Sequence, residues 1–283
     1  MASQVSKAVL ITGCSTGIGR ATAERLGRSG WTVYASARRP ESIADLAGSG
    51  CTTLALDVCD EASMRAAVDM VEQAHGAVGV LINNAGYGLE GPFEETPMAE
   101  IRRQFETNVF GLIRLTQMVL PAMRRQHWGR VVNLSSMGGE FTFPGGGFYH
   151  ATKHAVEALS DALRFEVRGF GIDTIVIQPG PIKSGFGDTA VTNLTSPSAP
   201  DSPYGAFRLA LAKVIRDAYD GPMAMFAGTS DAVARVIENA IAAERPRARY
   251  RVTAVARIMI GLRRMLPDRA FDAFLRTQLK PPA

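Results

Sequence analysis

Short apolar runs and amphipathic stretches take turns along this chain. Residues 7–12 (Lys-Ala-Val-Leu-Ile-Thr), 31–35, 52–56, 78–82, 130–134 and 173–177 have the length and apolar content of strands buried on both faces. Between them, residues 20–28, 61–74, 98–125 and 148–168 carry apolar positions at helical spacing. That alternation predicts an α/β fold with a parallel sheet and helices on both faces. After residue 184 the pattern changes. Residues 185–202 are rich in Gly, Ser, Thr and Pro, which suits a mobile lid better than a packed element. Helical patterns follow at 206–219 and 230–243, then a seventh strand near 249–253. The remainder sets Val255, Ile258, Met259, Leu262 and Leu266 on one helical stripe and, after Pro267, Phe271, Phe274 and Leu275 on another. No repeat or linker divides the chain. Residues 1–283 are expected to be a single domain, with a substrate lid at 185–228 and an amphipathic helical extension at 254–283.

Composition narrows this picture. A chain of 283 residues with 46% hydrophobic and 20% charged content can bury a full core and is neither disordered nor fibrous. Cys14, Cys51 and Cys59 are too few for a disulfide framework, and no Cys/His spacing suits a metal such as zinc. The start, Met-Ala-Ser-Gln-Val-Ser-Lys, lacks the apolar core of a signal peptide, and no apolar run nears the ~18 residues of a membrane span. A soluble cytoplasmic protein is expected. The net charge of +4 is unevenly spread: from Arg245 onward nine Arg and Lys280 meet only Asp268 and Asp272.

Candidate chemistry gathers where predicted strands end. The first strand runs into Gly13-Cys-Ser-Thr-Gly17-Ile-Gly19 and then a helix, the arrangement that aims backbone N–H groups at a pyrophosphate. The spacing is neither the Gly-x-Gly-x-x-Gly fingerprint nor a nucleotide-triphosphatase loop; a plain tight turn would also use such glycines. The second strand ends in Ala37, Arg38 and Arg39, where a NAD-binding protein would place a carboxylate for the ribose. Guanidinium groups there match a 2′-phosphate, so NADPH is favoured over NADH unless the pair is merely solvated. The fourth strand leads into Asn83-Asn84-Ala85-Gly86, small enough to leave room for a flat cofactor. Asn108 sits mid-helix among apolar neighbours, a position that demands hydrogen-bond partners. Tyr149 and Lys153 stand four apart on one helix face. A neighbouring ammonium favours the phenolate and would bring the tyrosine toward neutrality.

Taken together, Thr12-Gly13-x-x-x-Gly17-Ile-Gly19, Asp57-Val58, Asn83-Asn84-Ala85-Gly86, Asn108, Ser136, Tyr149-x-x-x-Lys153 and Pro179-Gly180-Pro181 resemble the short-chain dehydrogenases/reductases, in order across residues 7–184. Phe148 to Leu159, with the helical pattern after Tyr250, looks like the hydroxysteroid and retinol dehydrogenase branch. The resemblance implies one Rossmann-type domain with a seven-stranded parallel sheet, order 3-2-1-4-5-6-7. It also implies roles. Tyr149 would be the general acid in reduction and the base in oxidation, Ser136 (beside Ser135) would hold the carbonyl oxygen, and Lys153 would tune Tyr149 and hold the nicotinamide ribose. Asn108 would position a water linked to Lys153. Gly13, Ser15, Thr16, Gly17, Ile18, Gly19, Asn84, Ala85, Gly86, Pro179 and Gly180 would line the coenzyme. Arg38 would meet its phosphate, Asp57 and Val58 its adenine, and Ile182 and Ser184 its carboxamide. Lys183 departs from the small or polar residue often found there, and Thr16 from the basic residue of many NADPH members.

The expected function is hydride transfer between NADPH and an apolar ketone or aldehyde, or a secondary or ring alcohol in reverse, with no metal. Met137, Phe141, Phe143, Phe148 and Phe186 would form an apolar pocket or else belong to the core. Alternatives are a NAD-preferring alcohol dehydrogenase working oxidatively and a non-catalytic dinucleotide sensor or scaffold. A homodimer or homotetramer is expected and nucleic-acid binding is not, since the tail's arginines interleave with apolar residues. The tail could lie on an anionic membrane, but closure of the substrate cleft or a subunit contact is preferred.

Overall fold

The computed structural model describes residues 5–184, 194, 202–219 and 221–282. Seven strands form one sheet: β1 (Val9–Ile11), β2 (Val33–Ala37), β3 (Cys51–Ala55), β4 (Val80–Asn83), β5 (Gly129–Leu134), β6 (Ile172–Gln178) and β9 (Arg249–Arg251). Their order is β3-β2-β1-β4-β5-β6-β9, every neighbouring pair parallel, as the resemblance implied. Successive side chains of a strand point to opposite faces, and the sheet uses both. Val9 and Ile11 pack with Ala23 and Leu26 of α1 (Gly17–Arg28) and with Val233 and Ile237 of a later helix. Leu10, between them, packs on the other face with Val68 of α2 (Glu61–His75). Uninterrupted apolar runs were the right signature because neither face meets water.

Local chemistry sets the helix ends. Asp60 caps α2, its Oδ1 accepting from the N–H groups of Ala62 and Ser63 at 2.9 and 3.3 Å, and Gly76 closes it in the left-handed conformation. The stretch expected as one helix at 98–125 is three pieces. A turn of π-helix, Glu106–Phe110, separates α3 (Met98–Phe105) from α4 (Gly111–Arg125), and Asn108 lies in it. Such insertions concentrate at functional sites. Then comes α5 (Gly147–Val167).

Beyond β6 the chain makes an excursion whose two ends are tied together: β7 (Ile182–Lys183) pairs with β8 (Gly228–Thr229), Ile182 opposite Gly228. Most of 185–201, where a lid was expected, lies outside the described residues. The rest of that region is helical: α6 (Gly205–Tyr219), then a 3-10 turn at Pro222–Phe226. Arg208 of α6 pairs with Glu95 at 2.7 and 2.9 Å, holding the helix to the loop after β4. The chain returns through α7 (Ser230–Ala242) and β9, then ends in α8 (Ala254–Met265) and α9 (Asp268–Gln278).

The tail's stripe needs a correction. Ile258 is 67% exposed, whereas Ile260 is fully buried against Phe141 and Phe271. Three consecutive apolar residues, 258–260, let either face turn inward, and contact with Phe141 selects Ile260. Burying Ile260 and Phe271 stabilises this docking by about 1.5–3 kcal/mol each. The half-exposed pair of Arg264 with Glu140, 3.0 Å, adds at most about 1 kcal/mol. Apolar packing therefore holds the tail in place. Among the described residues no helix is long and apolar enough to cross a membrane.

Candidate active site

In this sheet β1 and β4 are neighbours although β2 and β3 come between them in sequence. Connections leave that point in opposite directions, opening a crevice beyond the strands' carboxyl ends. A cavity of about 1450 Å³ fills it, more than the roughly 300–1000 Å³ of a pocket for one small ligand. Two molecules can share it.

One end of the cavity is built from backbone and small residues. Gly13 and Gly17 have φ of +74° and +60°, conformations open to glycine. At Gly19 the constraint is space: a Cβ would stand 2.3 Å from Asn84 Nδ2 and 2.4 Å from the Gly13 carbonyl oxygen. Asn84 Nδ2 donates to the carbonyls of Thr12 and Gly13 at 2.9 and 3.0 Å, and Thr12 Oγ1 accepts from the N–H groups of Asn84 and Ala85. Asn84 thus fixes the shape of the loop. Thr16 begins α1 without capping it, so the first-turn N–H groups beside the cavity receive no side-chain acceptor there. Ser15, Ile18, Gly86, Asp57, Val58, Pro179, Gly180, Ile182 and Ser184 line the same end. Arg38 is exposed at the end of β2, lines the cavity and enters no ion pair among the described residues. An uncapped helix start behind a cradle that a single Cβ would fill suits a pyrophosphate, so these residues fit a dinucleotide.

At the middle stand the expected reactive groups. Ser136 and Tyr149 share a hydrogen bond, and both line the cavity. Ser135 also borders the cavity, but its Oγ is buried 2.7 Å from where a Cβ of Gly139 would be and makes no hydrogen bond among the described residues. Lys153 is buried, donates from Nζ to the Leu134 carbonyl at 2.8 Å and lies 5.7 Å from the Tyr149 ring centre. Burial pushes the phenol up, the Ser136 bond opposes this, and Tyr219 and Glu90 add to the rise. The same burial pushes Lys153 down to about 8, with Glu157 resisting. Dehydration of the phenolate is the largest influence on Tyr149. The rise favours the protonated phenol, the form that can give a proton.

Asn108 is occupied. Its Nδ2 donates to the Tyr87 carbonyl (2.9 Å) and to Thr152 Oγ1 (3.1 Å), and its Oδ1 accepts from the Tyr87 N–H (3.1 Å). The amide ties the loop after β4 to α5, and both Nδ2 hydrogens are spent on that tie while Oδ1 keeps one acceptor position. Asn83 Nδ2 likewise donates to Thr116 and Asn133, joining β4 to β5 and α4.

The other end is apolar and comes from distant parts of the chain. Met137 and Phe143 line it as expected; Phe186 lies outside the described residues. Phe141 and Phe148 do not line it. Phe141 is core with Ile260 and Phe271, and Phe148 stacks on Phe93 with ring centres 4.9 Å apart. In their place stand Leu211, Val214 and Ile215 of α6 and Val255, Met259 and Phe274 of the tail. Sequence reading also missed Glu90, His150 and Tyr219, which line this end. The signal for Glu90 was a carboxylate alone in the otherwise uncharged loop 83–93.

Comparison with known proteins agrees with this geometry. The family model for short chain dehydrogenases matches residues 7–194. The chain belongs to the short-chain dehydrogenase family. It is 37% identical over 273 residues to an uncharacterized oxidoreductase, YbbO, of Escherichia coli K12, covering 96% of this chain and 95% of that one. It is 33% identical over 280 residues to an NADPH-dependent 3-dehydrocapnine reductase of Ornithobacterium rhinotracheale, covering 96% of both. A short-chain dehydrogenase from Streptomyces avermitilis superposes with a TM-score of 0.78 at 33% identity, over 97% of this chain and 96% of that one. None of these three carries a hydroxysteroid or retinol dehydrogenase name. This short-chain dehydrogenase is thus an NAD(P)-dependent oxidoreductase.

Proposed function

We propose that the enzyme is an NADPH-preferring carbonyl reductase for apolar ketones or aldehydes. The observation that carries this reading is the hydrogen-bonded pair of Tyr149 and Ser136, which lines the cavity between a dinucleotide cradle and an apolar chamber. When bound, a reduced nicotinamide supplies the hydride that becomes the new C–H bond. Ser136 and Tyr149 hold and polarise the carbonyl oxygen, and the phenolic proton passes to that oxygen as the carbonyl is reduced. Lys153 holds the ribose and returns Tyr149 to its protonated form. Asn108 keeps Tyr87 and α5 in register around this centre. The coenzyme preference is supported by Arg38, which enters no ion pair among the described residues, with no carboxylate at residues 37–39, and by the relative named as NADPH-dependent. Cleft closure by the tail is supported by Val255, Met259 and Phe274 lining the chamber.

The test is oxidation of NADPH and NADH by the purified enzyme across a panel of linear ketones, aldehydes and ring ketones. Turnover of apolar ketones with NADPH ahead of NADH is expected. Absence of turnover with every carbonyl would leave the protein a dinucleotide-binding sensor.

A further inference from the structure

The apolar chamber contains a carboxyl group that the reduction does not use. Glu90 lines it, on the loop that follows β4. The Gly91 N–H donates to the Gly145 carbonyl at 2.8 Å, which pins this loop to the start of α5. Glu90 Oε2 lies 2.8 Å from where a Cβ of Gly146 would stand, three residues before Tyr149. Its charge reaches the hydroxyls of both Tyr149 and Tyr219. It therefore lines the same chamber as Tyr149 and Tyr219.

Glu90 has no hydrogen-bond or ion-pair partner among the described residues. The nearby candidates are committed or neutral. Lys153 donates to Leu134, and Arg103 pairs with Glu100. His150 accepts the Phe143 N–H at Nδ1 and is kept neutral by burial, which lowers it to about 4. Asp217 of α6, at the same end, carries the wrong sign to help. Glu90 is half-buried and borders the cavity, so a ligand that fills the apolar chamber would withdraw its carboxyl from water, which is costly unless the group stays neutral or meets a cation. Burial alone pushes Glu90 up to about 8. A cationic group entering the chamber would return it to the ionised form and gain a charge-assisted hydrogen bond. A neutral hydroxyl would gain much less.

We propose that Glu90 receives the ammonium group of the substrate, which makes the substrate class amino ketones: an apolar chain with a primary amine within a few bonds of its carbonyl. The inference rests on the reductase reading of Ser136 and Tyr149 and adds the group that selects the substrate.

The test compares three carbonyls of equal chain length with the full-length enzyme and NADPH: a long-chain α-amino ketone, its α-hydroxy counterpart and the plain ketone. The wild type should prefer the amino ketone over both. Glu90→Gln keeps the shape and removes the charge. It should lower the ratio of kcat/KM for the amino ketone over the plain ketone by roughly 10–100-fold, the range for a hydrogen bond to a charged group. The change should fall mainly on KM. Fluorescence titration with NADPH establishes that the variant is folded. Glu90→Asp should restore part of the ratio. A plain or hydroxy ketone preferred by the wild type, or an unmoved ratio in Glu90→Gln, overturns the role of Glu90 while leaving the reductase standing. No turnover of any of the three overturns both.

Discussion

The two ends of the cleft are made in different ways. At the coenzyme end the contacts are backbone, small residues and a few fixed polar ties, such as Asn84 to Thr12 and Gly13. Nearly all of them lie within a few residues of the end of a strand. At the substrate end the surface is side chain, drawn from the loop after β4, from α5, from α6 and from the tail. The first end is stiff because the sheet itself holds it. The second is held by packing between elements, such as Phe141 on Ile260 and Phe271, and by the Glu95–Arg208 pair. A rigid coenzyme cradle with a chamber assembled from late-arriving helices lets the chamber change without disturbing the cradle.

Removing one atom at the boundary should have the largest effect. Tyr149→Phe keeps the ring and loses the proton donor, so turnover should fall by roughly 10²–10⁴. NADPH binding, followed by fluorescence, should change little, because the cradle does not depend on that hydroxyl. A variant with near-normal turnover would show that another group delivers the proton.

Arg38→Asp probes the cradle alone. It removes a phosphate partner and adds a carboxylate suited to a free ribose. The ratio of kcat/KM with NADPH to that with NADH should drop by roughly 10–100-fold, as for loss of a charged hydrogen-bond partner. KM for the carbonyl should stay put. An unmoved coenzyme ratio would reduce Arg38 to a surface charge. Met259→Ala is the mirror experiment in the chamber: KM for an apolar ketone should rise by roughly tenfold, the worth of one lost apolar contact, with NADPH affinity unchanged. If both constants moved together in either variant, the two ends would not be separable.

This difference also explains what could be read from the sequence. Gly13, Gly17, Gly19, Asn84 and Arg38 were legible because their positions follow from being next to a strand, which local pattern locates well. Tyr149 and Lys153 were legible as neighbours on one helix turn. Phe141 and Phe148 were not assignable, because an aromatic beside a site and an aromatic in the core look alike until packing is known. Ile258 and Ile260 were confused because Met259 between them is apolar too. Asn108 announced itself as an amide out of place, but its partners, Tyr87 and Thr152, are 21 and 44 residues away. Glu90 had no periodicity to mark it at all.

The smallest effect expected separates the two ends by their response to acid. The substrate end holds buried titrating groups, and two of them act with opposite sign. Burial lowers His150 from 6.5 to about 4, so the folded protein keeps it neutral while the unfolded chain protonates it. Its contribution is therefore complete above the unfolded value and is lost as pH falls from 6.5 toward 4. Burial raises Glu90 from 4.5 to about 8, so its contribution is complete below 4.5 and is lost as pH rises toward 8. Over the range they share, the two slopes offset each other, and the stability of the wild type alone will look nearly flat. A difference measurement recovers the His150 part. His150→Asn keeps an acceptor for the Phe143 N–H and removes the titration. Urea unfolding of both proteins at about pH 7.5 and pH 5.5 should show the wild type losing about 1 kcal/mol relative to the variant on acidification. The sign follows from the lowered value: a relative gain would mean that His150 binds its proton in the folded state. It would then be charged beside Tyr149, and the chamber would already hold a cation of its own.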